Sequence, residues 1–174
     1  MLIIHTRGAR LSVPRSRMEP DGTMEHWYAY ADGSRPHAIV VAAIEHMRQT
    51  ILNAPAVLDT CNQRFLAVSR LRRRGQINFQ SLFVDPEPRI TLSHCPGTQK
   101  FFGLTLGNHI SITDLCFRPQ GAVPAVEITA GTILHELAHV AGATGNTSGP
   151  GHFIAESVVR VCGYPRVFQS GGGG

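Results

Sequence analysis

The chain has 174 residues, 43% of them apolar and 16% charged, a mixture that suits one folded domain and excludes a disordered chain or a fibre. Sixteen basic residues against twelve acidic ones leave a net charge of +4, and no run of eighteen apolar residues is present to span a membrane. A chain of this length buries about two thirds of the surface its unfolded form exposes, so folding alone requires neither metal nor disulfide.

Residues 1–35 mix short apolar pieces with Pro, Gly and Arg. They are expected to form strands and loops that pack on the core through Trp27, Tyr28 and Tyr30. The main domain is expected over residues 36–166, with 167–174 as a flexible Gly-rich tail. Between His37 and Leu52 apolar residues recur at 40, 43, 44, 47 and 51, which is helical spacing, and Asn53-Ala54-Pro55 breaks it. A second helix is expected over Val57–Arg73, stopped by Gly75.

The composition then turns to β. INFQSLFV (77–84), RITLSHC (89–95) and HISITDLCF (109–117) are rich in β-branched and aromatic residues and are separated by Pro and Gly, which predicts strands in a small, mainly antiparallel sheet. After Pro124 the helical pattern returns in AGTILHELAHVAG, with Thr129 as the expected N-cap and Gly142 as the expected stop. A turn over 143–149 follows, and Pro150 suits the first position of a last helix that ends near Gly163. Helices, then strands, then two helices imply a single-domain α+β fold.

Arg70, Arg72, Arg73 and Arg74 form the one dense basic cluster. It reads either as a surface for phosphates or acidic partners or, as preferred here, as a solvated helix end. No spacing typical of nucleic-acid-binding modules accompanies it. Cys61, Cys95, Cys116 and Cys162 contain no CxxC pair, so a structural zinc knuckle is not expected. Two disulfides in three connectivities and buried thiols both stay open. The opening MLIIHTRGAR is too short in apolar residues for a secretory signal, which leaves a mature fragment, a domain of a longer chain, or a cytosolic protein.

The chemistry is concentrated in His135-Glu136-Leu137-Ala138-His139, an HExxH sequence on the predicted helix. Residues four apart lie on one helix face, so both imidazoles can reach one metal ion. Two imidazoles suit zinc (Zn2+), which favours nitrogen ligands and tetrahedral geometry. Glu136, rotated about 100° from His135, can take a proton from a zinc-activated water and pass it to the leaving amine. Ile133, Leu134, Leu137, Val140 and Ala141 place the rest of the helix in a core. A catalytic zinc also needs a third protein ligand. The longer motif HExxHxxGxxH would require a histidine at position 145, where Gly145 stands. The last helix instead offers His152 and Glu156, four apart on one face. Glu156 is favoured as the third ligand, with His152 as the alternative; the remaining one then orients its neighbour or meets substrate.

The run AGTILHELAHVAGA followed by GHFIAESVVRVCG resembles the zincin metallopeptidases. Two branches compete. Gluzincins take a glutamate from the following helix, which matches Glu156. Aspzincins of the deuterolysin and peptidyl-Lys type carry GTxDxxYG there. This sequence keeps Gly149, but has His152 at the aspartate position and Glu156 at the last glycine. The resemblance covers about residues 105–163 and is specific at HExxH. It implies a zinc-dependent endopeptidase acting on protein or peptide substrates, and an edge strand beside the motif helix onto which an extended peptide can add; HISITDLCF is the candidate for that strand. Tyr164 is a candidate oxyanion donor or a packed side chain, and Asp114 a spare carboxylate near the cleft. His37, His46, His94 and His109 are expected to be packed or solvated, with His94 or His109 able to line the cleft. By association the chain is read as the catalytic domain of a secreted or injected bacterial effector toxin, either part of a larger effector or paired with an inhibitor protein. The competing readings are an inactive binding module that keeps the zincin fold, and a nucleic-acid or acidic-partner binder acting through Arg70–Arg74.

Overall fold

The computed structural model describes residues 1–7, 17–18, 24–25, 27–71, 76–97, 101–143 and 150–167. In chain order these form β1 (Leu2–Ile4), β2 (Arg17–Met18), β3 (Met24–Glu25), α1 (Arg35–Met47), a π-helical turn (Arg48–Leu52), α2 (Pro55–Leu71) and α3 (Phe79–Val84). They continue with β4 (Ile90–Cys95), β5 (Gly103–Leu106), β6 (His109–Thr113), a 3-10 turn (Asp114–Phe117), α4 (Ala125–Ala141) and α5 (Pro150–Val161). The fold is α+β, as expected. Arg72–Arg74, the turn 144–149 and the tail 168–174 lie outside the described residues.

The main sheet has the order β1-β4-β6-β5, with β2 and β3 paired separately. β4 runs parallel to both β1 and β6, and only β5 is antiparallel to its neighbour. The expected mainly antiparallel sheet is therefore corrected. The helices α1, α2 and α3 form the crossover between β1 and β4 that parallel strands require, and β6 folds back to insert between β4 and β5. This insertion also makes β6 internal, so HISITDLCF is not the edge strand; β5 is. A further correction concerns INFQSLFV, whose second part is the helix α3. Asn78 accepts from the Ser81 amide at 2.7 Å and Ser81 Oγ accepts from the Asn78 amide at 3.2 Å, a reciprocal cap that starts a helix in spite of the β-prone composition.

Alternation along β4 and β6 separates the two faces of the sheet. Leu92 pairs with Ile110 and His94 with Ile112 on one face, while Ser93 pairs with Ser111 on the other. The apolar face lies under α4. Thirteen of the seventeen residues of α4 are buried, because α1, α2, α5, β5 and β6 all pack against it. The expected half-buried helix is thus a nearly enclosed one. It starts at Ala125 after Pro124, four residues before the expected cap. Thr129 sits inside it, and its hydroxyl donates to the Cys116 carbonyl at 3.0 Å.

Two contacts fix the segments around α4. A disulfide joins Cys61 of α2 to Cys162 just after α5, while Cys95 and Cys116 stay as buried thiols. Beyond α5, Val167 packs so closely on Gly131 that a β-carbon there would lie 2.7 Å from its methyl carbon. That close approach explains a glycine in the middle of a helix.

Candidate active site

The two motif histidines converge. His135 Nε2 and His139 Nε2 lie 3.1 Å apart, and the His135 side chain is buried near the end of α4. The separation is hydrogen-bond distance between the two rings, and it is also close to the about 3.3 Å that separates two nitrogens bound to one tetrahedral zinc at about 2.05 Å. The His139 ring orientation is set by the end of its own helix. Gly142 adopts φ 116° and ψ 9°. Its amide donates to the His139 carbonyl at 3.0 Å, and the Ala143 amide donates to the Ala138 carbonyl at 2.8 Å. These two bonds form a Schellman cap, and it turns the Ala143 carbonyl back to accept from His139 Nδ1 at 2.9 Å. A carbonyl only accepts, so Nδ1 carries the proton and Nε2 keeps a lone pair for a metal.

Glu136, rotated about 100° from His135 on the same turn, points toward β5. Its carboxylate is buried, and the Thr105 hydroxyl of β5 donates to Oε2 at 2.7 Å. Burial pushes the Glu136 carboxyl up to about 7, and the Thr105 hydrogen bond pulls against that rise. One turn earlier, Thr132 donates to the Ile128 carbonyl at 2.9 Å and accepts from Cys116 Sγ at 3.4 Å. Thr129, Thr132 and Glu136 therefore form a buried polar stripe facing β5 and the 3-10 turn. The Cys116 thiol on this stripe is pushed up to about 12 by burial.

Among the described residues no group of three or more His, Cys, Asp or Glu side chains is placed to hold a metal ion, and Glu156 is half-buried on α5. His152 lies on the first turn of α5, and its side chain is outside the described residues. The α5 helix itself is held beside α2 by the disulfide and by Arg64 Nε donating to Ser157 Oγ at 3.1 Å.

Other expected residues lie in separate clusters. Asp114 accepts from His94 Nε2 at 2.8 Å and from the Gly97 amide at 2.9 Å; these bonds and the nearby positive groups hold its carboxyl below the usual range against the opposing effect of burial. His94 stacks on Tyr30, whose hydroxyl donates to the Ser93 carbonyl at 3.0 Å. His109 meets the edge of Trp27, and burial lowers its pKa. His37 accepts from the Gly33 amide. Tyr164 is buried, its hydroxyl 3.0 Å from Thr50 Oγ1 and its ring against His46. Burial pushes its hydroxyl up to about 12, and the Thr50 hydrogen bond pulls against that rise. The packed reading of Tyr164 holds. Sequence reasoning missed Thr105 and Gly103, which contact Glu136 from β5. The four-residue strand GLTL is too short to announce itself by periodicity.

Comparison with family models, curated proteins and solved structures found no match to this chain.

Proposed function

We propose that this chain is a zincin-type zinc metallopeptidase. The observation that carries the reading is the pair of imidazole Nε2 atoms 3.1 Å apart on an enclosed helix, with a buried carboxylate between them in sequence. His135 and His139 would hold the ion. The third ligand would come from α5, as Glu156 or His152, four residues apart on one helix face. Zinc held there supplies an acidified water and an electrophile for a peptide carbonyl.

The chain's own residues do the remaining work. Ala143 keeps His139 in the tautomer that leaves Nε2 free. Glu136 takes a proton from the attacking water and returns it to the leaving amine. Burial, which raises its carboxyl pKa, favours a group that can both take and return a proton. β5 is the edge of the sheet and lies against α4, so an extended peptide adding to it would run past Glu136. The Cys61–Cys162 disulfide supports action outside a reducing cytosol.

Metal analysis beside casein cleavage tests the reading. Wild type should carry one zinc per chain and cleave casein. His135→Ala should lose the zinc, one of Glu156→Ala and His152→Ala should lose it and so identify the third ligand, and Glu136→Gln should keep zinc while losing proteolysis. Cleavage by Glu136→Gln at the wild-type rate, or a wild type that takes up no zinc, refutes the proposal.

A further inference from the structure

Glu136 is held from the sheet as well as from its own helix. Gly103 and Thr105 alternate onto the side of β5 that faces α4, opposite Ile112 and Ile110 of β6. The Thr105 hydroxyl lies 2.7 Å from Glu136 Oε2 and 3.2 Å from the Glu136 carbonyl. Its single proton goes to the nearer, charged acceptor. At Gly103 a β-carbon would sit 2.9 Å from Glu136 Cγ, from Glu136 Oε1 and from Thr132 Cγ2. Real β-carbons do not approach that closely, so any other residue at 103 would have to displace the carboxylate. One carboxylate oxygen is therefore tied by Thr105, and the other lies over the bare backbone of Gly103.

A free glutamate on a helix rotates about three bonds, and ordering it costs side-chain entropy. The strand applies that ordering before substrate arrives. Resting on the peptidase reading above, we propose that Thr105 and Gly103 are positioning residues of β5: Thr105 fixes the rotamer of the general base through Oε2, and Gly103 leaves the space in which Oε1 stays free for the proton it takes. The same strand that lies at the sheet edge thus sets the direction of the base. A substrate strand paired with β5 and the carboxylate that serves it are aligned by one element.

Thr105→Val keeps the shape and removes the donor, whereas Thr105→Ser keeps the donor. With casein-derived peptides, Thr105→Val should lower kcat tenfold to a hundredfold with KM within about twofold of wild type, by loss of a hydrogen bond to a charged group. Thr105→Ser should restore kcat to within about threefold, with zinc still at one per chain in both variants. Gly103→Ala should lower kcat further and also lower the melting temperature. An unchanged kcat in Thr105→Val, or equal losses in the Val and Ser variants, overturns the proposal. A second measurement does not depend on catalysis. In metal-free protein, the melting temperatures of Thr105→Val, Glu136→Met and the double variant form a cycle. Strong coupling, with the double variant losing little more than one single variant, is expected. Additive losses overturn the Thr105–Glu136 contact whatever the wild type cleaves, while an inactive wild type with strong coupling sinks the peptidase reading, and with it the catalytic role given to this contact.

Discussion

On the zinc reading proposed above, replacing Gly142 by alanine should weaken metal binding through a residue that is not itself a ligand. Gly142 sits at φ 116°, where an L residue pays about 1–2 kcal/mol. The variant relieves that strain by rotating toward helical φ, and the rotation breaks the two Schellman bonds from the Gly142 and Ala143 amides. The Ala143 carbonyl then leaves His139 Nδ1, which it now meets at 2.9 Å. Loss of such an outer partner typically lowers metal affinity about 10–100-fold, and the lower end of that range is about 1.4 kcal/mol. Gly163 supplies a matched control. It has φ 101°, and a β-carbon there would meet only Val57, at 4.0 Å. Gly163→Ala carries the same kind of backbone strain next to no motif residue. Chelator competition should show weaker zinc binding in Gly142→Ala and wild-type binding in Gly163→Ala, with similar drops in melting temperature. Equal zinc affinities in the two variants refute the claim that the helix cap orients His139.

Two further outcomes follow from the fold. Cys61 and Cys162 are 101 residues apart, and a crosslink closing a loop of that size contributes about 4.7 kcal/mol by the chain-entropy relation. Reduction or Cys61→Ser should therefore lower the melting temperature by roughly 10–20 °C, and a melt unchanged by reductant would refute the crosslink. Burial raises the Tyr164 hydroxyl from 10.0 to about 12, so above pH 10 the unfolded chain releases this proton first. Stability should then fall by about 2–3 kcal/mol as pH rises from 10 to 12. Tyr164→Phe should flatten that slope in denaturant titrations, and an identical slope in the variant would count against a buried hydroxyl.

What the sequence revealed was local. The spacing of His135 and His139 dictates that the rings share a face once a helix forms, and Gly142 and Pro150 mark helix ends through backbone chemistry that depends on one residue each. Asn78 and Ser81 carried an equally local signal, and reading the β-branched composition of INFQSLFV ahead of that cap produced a strand where the chain makes α3. Thr129 misled in the opposite direction. A hydroxyl suited to an N-cap is equally suited to a buried carbonyl such as that of Cys116. The parallel sheet was not legible, because β1 pairs with a strand eighty-eight residues later (Leu2 with Ile90), and no window of sequence contains both. For the same reason the sequence could not select Cys61–Cys162 among the possible pairings, nor find Thr105 and Gly103, whose importance exists only once β5 lies across Glu136.

Stability alone does not account for the side chains on α4. A helix enclosed by a sheet and three other helices is most stable when uniformly apolar, and each buried polar group costs free energy unless partnered. Thr129, Thr132 and Glu136 each meet a partner from the Cys116 carbonyl, the helix backbone or β5, which offsets the cost without exceeding what leucines would give. The imidazoles of His135 and His139 are different, since both turn a nitrogen toward a common point. Where His139 already spends its proton on Ala143, its nitrogen at that point is a lone pair. A lone pair aimed at a neighbouring ring nitrogen inside a core is satisfied by that ring's proton, the pairing these two rings make at 3.1 Å; on the reading proposed above, a cation takes the proton's place and gives a use to Glu136, the residue that follows His135. The enclosure that makes these groups expensive also fixes their directions, and that rigidity is what the proposed metal site and its base would need.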